Sequence, residues 1–249
     1  MFRTLLSLTG ALVMSGQAMA ADLAARPYTK APPPAVALYD WTGFYLGANG
    51  GYGSSRECFD SVGFVGAPTA PIPDNCGNVK GWLAGGQAGY RWQTSAWVLG
   101  VEAQGDWANL TGSAPSTLVA GVTSAVKIDG VGLLTAQIGY AWNNVLVYVK
   151  GGAAVTSNKY TTLVGGAVFS SASETRWGGT VGTGIEFGFA PNWSVSLEYD
   201  HLFMGSRDIT FPDPAAPVAL FPVERIHQDT DLGFVKVNYR FGGPVVAKY

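Results

Sequence analysis

Near its end the chain alternates. Val235, Val237, Tyr239 and Phe241 fall on one side of an extended strand, and Lys236, Asn238 and Arg240 on the other. The same period of two recurs over about 41–53, 80–92, 97–107, 129–142, 145–156, 175–189, 193–203 and 229–241. Each segment slightly exceeds the roughly 9–11 residues that a tilted strand needs to cross a membrane's hydrocarbon. The connections alternate as well. Long polar stretches (54–79, 109–128, 157–174, 204–228) take turns with short ones (93–96, 143–144, 190–192).

Side-chain parity makes these segments a closed set. Before Asn143-Asn144 the apolar residues are even (Leu134, Ala136, Ile138, Tyr140, Trp142). After it they are odd (Val145, Val147, Val149, Ala153, Val155). A two-residue turn pairs Trp142 with Val145 and keeps both sets on one face, with Gln137 opposite Lys150 on the other. Around 190–192 both apolar sets are odd, Val181 to Phe189 and Trp193 to Tyr199, which a three-residue connection permits. One greasy face continuing around eight strands implies an all-β fold: an eight-stranded antiparallel up-and-down transmembrane β-barrel, greasy outside and polar inside. Long loops are then extracellular and short turns periplasmic.

The ends frame this barrel. Residues 1–20 read as a cleaved signal peptide, with Arg3, an apolar stretch from Leu5 to Met14 and Ala18-Met19-Ala20. Residues 21–40 read as a Pro-rich periplasmic linker, 41–241 as the barrel and 242–249 as a tail. Only 13% of residues are charged and 34 are Gly, about half and twice the usual shares. No stretch after Ala20 has the 18 or so consecutive apolar residues of a spanning helix. The barrel therefore accounts for the greasiness, and the glycines relieve crowding in a narrow lumen. Loss of Arg3 leaves 14 of the 15 basic residues against 17 acids, so no basic surface invites nucleic acid. The only cysteines, Cys58 and Cys76, are expected to form a disulfide, an even count in an exported chain without nearby metal partners.

Aromatics crowd the segment ends beside the short turns: Trp92, Trp97, Trp142, Phe189, Trp193, Tyr239 and Phe241 form a periplasmic girdle, with Trp107 and Trp177 near the opposite rim. Inward positions hold Glu102, Asp106, Glu186, Glu198 and Asp200 against Arg91, Lys150, Lys236 and Arg240. Such charges could form an ion-selecting constriction. Near-cancelling charge in a lumen barely wide enough for side chains argues instead for a salt-bridged plug, with Lys150, Lys236 and Arg240 each beside an inward acid.

Candidate chemistry is sparse. Glu186 and Glu198 are a carboxylate pair, but no sugar reaches into so narrow a barrel. His201 sits near the outer rim, where a His with a neighbouring Ser can deacylate lipid. Leu202-Phe203 follows it and no Ser stands at H-x-S, so it reads as an interfacial histidine. Gly47 to Gly53 precedes no helix and has no Lys, so it is not a phosphate loop. No catalytic residue, cofactor or metal is expected.

Three stretches carry a resemblance: Tyr39-Asp40-Trp41-Thr42-Gly43-Phe44-Tyr45-Leu46-Gly47 after the linker, Gly50-Gly51-Tyr52-Gly53, and Val237-Asn238-Tyr239-Arg240-Phe241. With them the chain resembles the small outer-membrane, porin-family immunogenic β-barrels of alphaproteobacteria, built like the membrane domain of the major outer-membrane protein A. The resemblance implies an integral outer-membrane location, contact with outer-membrane lipid and lipopolysaccharide, and recognition by the barrel assembly machinery. It implies an assembly signal at Tyr239 and Phe241. That family typically ends on the last aromatic, whereas eight residues follow Phe241 here, leaving Tyr249 as an alternative signal. The expected role is structural, supporting the envelope and presenting surface loops; the alternatives are a low-conductance porin and a surface binder or adhesin.

Overall fold

The computed structural model describes residues 39–212 and 217–242. The signal peptide, all of the linker before Tyr39, and Tyr249 lie outside the described residues. Eight antiparallel strands form a closed ring in chain order: β1 (Gly43–Phe64), β2 (Ala67–Thr94), β3 (Trp97–Pro115), β4 (Val122–Trp142), β5 (Val145–Val164), β6 (Ala167–Ala190), β7 (Trp193–Thr210) and β8 (Pro222–Phe241). β1 closes the ring against β8, with Phe44 opposite Phe241.

The Asn143-Asn144 turn carries the expected register, whereas the connection expected over 93–96 tightens to Ser95-Ala96, with Thr94 opposite Trp97. Trp142 pairs with Val145 and Gln137 with Lys150. Asn143 and Ser95 take the left-handed conformation that a two-residue hairpin demands, each at φ 55°. The connection after β6 differs in detail: the turn holds two residues, and a bulge at Phe189 between Gly188 and Ala190 restores the parity.

The four long connections are not loops. Strands run on through them, leaving only 65–66, 116–121, 165–166 and 211–221 between paired segments. Backbone amides and carbonyls beyond the bilayer still need partners, and continuing the ladder supplies them for every residue pair. The Cys58–Cys76 disulfide therefore joins directly opposed residues of two adjacent strands and does not staple a loop, with Cα atoms 4.1 Å apart. One seam is incomplete: β6 and β7 pair only as far as Gly179–Phe203. Above that point the buried Arg176 guanidinium donates to the carbonyls of Gly205 (3.0 Å) and Ile226 (2.9 Å), doing locally what a ladder does elsewhere.

The alternation of faces is sharp. Along β5, Val147 and Val149 are exposed on the outer wall, whereas Leu146, Tyr148 and Lys150 are buried in the lumen. Glycines are split between the two faces. A side chain on Gly89 or Gly184 would collide with the rings of Tyr45 and Tyr148, which need the room. Gly105, in contrast, faces open space on the outside.

Candidate functional site

The lumen is filled in three layers. At the short-turn end Trp41, expected in the first strand, precedes it and folds into the barrel mouth. It is buried with Val98, Ala141, Leu146 and Tyr148, and Tyr39 packs against them. Its backbone amide donates to Gln93 Oε1 (2.8 Å) and its indole nitrogen to the Asn143 carbonyl (3.2 Å).

All nine inward charges expected from the sequence are buried, and seven of them form a charged layer above this plug. Arg91 meets Glu186 at 2.7 Å and lies over the Tyr45 ring, 4.3 Å from its centroid. Ser194 and Asn238 also donate to Glu186. Two lysines sit among three acids. Lys150 Nζ is 2.6 Å from Glu198, 3.3 Å from Glu102 and 3.5 Å from Asp200. Lys236 Nζ is 2.5 Å from Glu198 and 3.0 Å from Glu102. Tyr45 and Tyr148 donate their hydroxyls to Glu102 (2.7 Å) and Glu198 (2.6 Å), so each carboxylate is held by both cations and a phenol. Because each carboxylate is shared by both ammonium groups, the layer is one connected unit.

Two of the nine stand apart. Arg240 was expected beside an acid. Among the described residues it forms no ion pair, and its guanidinium donates to the backbone carbonyls of Thr42 (3.1 Å) and Pro191 (2.9 Å). It sits at the barrel's end, where turn carbonyls are left over from the ladder, and five donors in a fork suit several of them. Asp106 has no cation partner either; the Gln104 amide donates to it at 2.8 Å.

The third layer reverses the expected polar lumen. Toward the long hairpins the large inward side chains are mainly apolar: Leu83, Leu110, Ile128, Leu133, Leu202, Ile226 and Leu232 belong to one buried cluster that continues to Phe59, Met204 and Phe211, and the buried polar groups among them pair with each other, Asn158 donating to Gln228 (2.9 Å) and Thr230 to Ser55 (2.9 Å). Two buried charges in this end were missed. Glu57 accepts from the Ser55 hydroxyl at 3.0 Å, and burial pushes its carboxyl up to about 8. Arg176 holds the open seam. Its even position on β6, shared with inward Thr180 and Glu186, was the signal available for it.

The histidines lie on the outer wall. His201 Nδ1 donates to Asp231 Oδ1 at 2.7 Å, and the Tyr199 hydroxyl donates to the same oxygen at 2.6 Å. His227 stands between Ser206 Oγ, 2.6 Å from Nδ1, and Asp60 Oδ2, 3.2 Å from Nε2. The order of residues resembles a catalytic triad, but the His227 side chain is 48% exposed on the outer wall. A triad draws its power from a dry, concave setting, which this position lacks.

Comparison with known proteins agrees with the architecture. The sequence model of the outer membrane protein beta-barrel domain matches residues 6–216. The 31 kDa outer-membrane immunogenic protein of Brucella melitensis biotype 1 is 29% identical over 211 residues, covering 82% of this chain and 88% of that protein. The 25 kDa outer-membrane immunogenic protein of Brucella abortus biovar 1 is 29% identical over 200 residues, covering 79% and 82%. Among solved structures, the outer membrane protein OprG from Pseudomonas aeruginosa superimposes with a TM-score of 0.51 at 11% identity, over 81% of this chain and 97% of that one.

Proposed function

Because the chain belongs to the outer membrane protein β-barrel family, and is an integral protein of the outer membrane, we propose that it serves as a closed structural barrel, not a pore or an enzyme. The observation that carries this reading is the layered lumen. An ion crossing it would have to part Trp41 from its neighbours, displace Lys150 and Lys236 from their shared carboxylates, and then pass a packed, mainly apolar cluster whose few polar groups are hydrogen-bonded to one another. Each step exposes charge to a poorly solvated interior, where it costs several kcal/mol.

The extended hairpins give the barrel a second part to play. They stand well clear of the membrane, and the relatives' description as immunogenic supports their presentation at the cell surface. At the opposite end, Tyr239 and Phe241 meet edge to face, 5.0 Å between centroids, on the outer face of the last strand, a placement that suits reading by the barrel assembly machinery.

Conductance in planar bilayers tests the central claim. Purified protein inserted at physiological salt is expected to give no steady open level. A sustained, ohmic current from single insertions would make it a small porin and end the structural reading.

A further inference from the structure

On the upper outer wall the charged groups of β7, β8 and β1 largely hold one another. Asp208 meets Arg225 at 2.7 Å, Asp231 accepts from His201 and Tyr199, and Asp60 lies 3.2 Å from His227. The side formed by β2 to β5 is different. Of the five lysines among the described residues, Lys150 and Lys236 fill the lumen, whereas Lys80, Lys127 and Lys159 are exposed on this side. All three fall in one row. Lys80 of β2 stands opposite Thr111 of β3, Thr111 opposite Lys127 of β4, and Lys127 opposite Lys159 of β5. At about 4.8 Å per strand the row spans roughly 14 Å of the wall.

Among the described residues no acid lies within 4.0 Å of these three ammonium groups, exposed Asp129 on β4 included. Lys127 and Lys159 are moreover directly opposed on neighbouring strands, where like charges destabilise the pair. No group of the barrel offsets that repulsion, and an anion held between the two turns it into a shared attraction. The height of the row says where such an anion comes from. It stands just above Trp82, Trp107 and Trp177, exposed aromatics that mark the upper membrane interface. The long hairpins are extracellular, so this interface is the outer leaflet of the outer membrane. Lipopolysaccharide fills that leaflet, and it carries phosphates on the sugars of its lipid anchor.

We propose that the row Lys80, Lys127 and Lys159 is a binding site for the phosphorylated sugar head of lipopolysaccharide. Lys127 and Lys159 donate together to one phosphate, which bridges the repelling pair. Lys80 lies two strands from Lys127, roughly 10 Å away, and donates to a second phosphate further along the same head. Charge complementarity and height select this occupant together: three uncompensated cations in register match a head that bears more than one phosphate. A groove of about 520 Å³ runs down the wall beside Trp107, Gly130, Gly132 and Val155, on the strands that carry Lys127 and Lys159. It receives an acyl chain of the same molecule, so a lipid-borne phosphate is held at two points and a free phosphate at one.

Native mass spectrometry of the full chain, refolded in detergent and loaded with defined lipids, tests the site. The probes are the lipopolysaccharide lipid anchor with both phosphates, the same anchor dephosphorylated, and phosphatidylglycerol. The first should be retained about tenfold better than either of the others, the size of effect expected from a charge-assisted contact. That preference should fall as salt rises from about 0.05 to 0.5 M, because the row is exposed. Lys127→Gln combined with Lys159→Gln should abolish it, and Lys80→Gln should weaken it. Arg225→Gln, at an outward base already paired with Asp208, should leave it unchanged. Equal retention of the phosphorylated and dephosphorylated anchors would overturn the proposal, as would a folded double variant that keeps the preference. Phosphatidylglycerol retained as well as the phosphorylated anchor, or displacement of that anchor by inorganic phosphate, would reduce the row to a general anion site and also end it. If the double variant fails to fold, Lys80→Gln and the salt dependence of the unaltered protein decide. Conductance does not enter this test, so its outcome is separate from that of the closed-barrel reading.

Discussion

Strand β3 passes through two different proteins. In its first half the inward residues are Glu102, Gln104 and Asp106, while Leu99, Val101 and Trp107 face out. In its second half the inward residues are Ala108, Leu110 and Ala114, while Asn109, Thr111 and Ser113 face out. The strand, the period and the parity are unchanged; only the chemistry has been exchanged between the faces. The lower half is polar within and greasy without, and the upper half is arranged as any soluble β-barrel is. The difference between their surroundings explains it. Lipid bathes the first half and water the second, and each half turns toward its solvent what that solvent tolerates.

The two halves are consequently closed by different forces, and their tolerance of change should differ. The charged layer depends on every partner being present. Lys150→Met removes the cation that lies between Glu102, Glu198 and Asp200, leaving three buried acids with less compensation. Removing one partner of a buried pair costs about 3–5 kcal/mol, which reversible denaturant unfolding in lipid vesicles would measure. A loss below about 1 kcal/mol would mean that water reaches this layer and that it is not a sealed plug.

The apolar layer should fail more gently. Leu110 is fully buried in its cluster, and Leu110→Ala is expected to cost about 3 kcal/mol, transfer and cavity together. The midpoint should fall without a change in conductance, because neighbouring side chains still fill the passage. If Leu110→Ala opened a current while Lys150→Met did not, the upper layer would be the gate and the ranking of the two layers would be reversed.

The exchange of faces also explains what the sequence revealed and what it hid. Ring, strand number and short-turn registers were legible because an apolar outer face is unusual and parity propagates through each tight turn, as at Trp142 and Val145. The long stretches read as loops because the outward apolar residues that mark a lipid-facing strand stop there. At Asn109 that pattern does not vanish but swaps faces, and Leu110, Val126 and Ile128 then mark a soluble-type core. Arg240 was misjudged for another reason. Parity places a residue inside the barrel but does not say at what height, and at its very end turn carbonyls compete with acids for a guanidinium.

Glu57 offers the finest test of the contrast, being the buried acid of a layer that is otherwise mainly apolar. It stands beyond the membrane-spanning part of β1, buried beside Ser55, with Arg176 and Asp229 as the charged groups acting on it. Burial dominates and pushes its carboxyl from 4.5 up to about 8; the Ser55 hydrogen bond and Arg176 oppose the shift, and Asp229 adds to it. An acid raised in this way binds its proton more tightly folded than unfolded. Its contribution is fully present below about pH 4.5 and is lost as pH rises through 8. Between pH 6 and 7 it should lower stability by about 1.4 kcal/mol. Glu57→Gln keeps the hydrogen bond from Ser55 but cannot ionise, so the difference between its stability and that of the unaltered protein should grow with pH across this window. A difference that stayed flat from pH 5 to 8 would show Glu57 to be hydrated, and the upper layer to be less dry than the cluster around Leu110 implies.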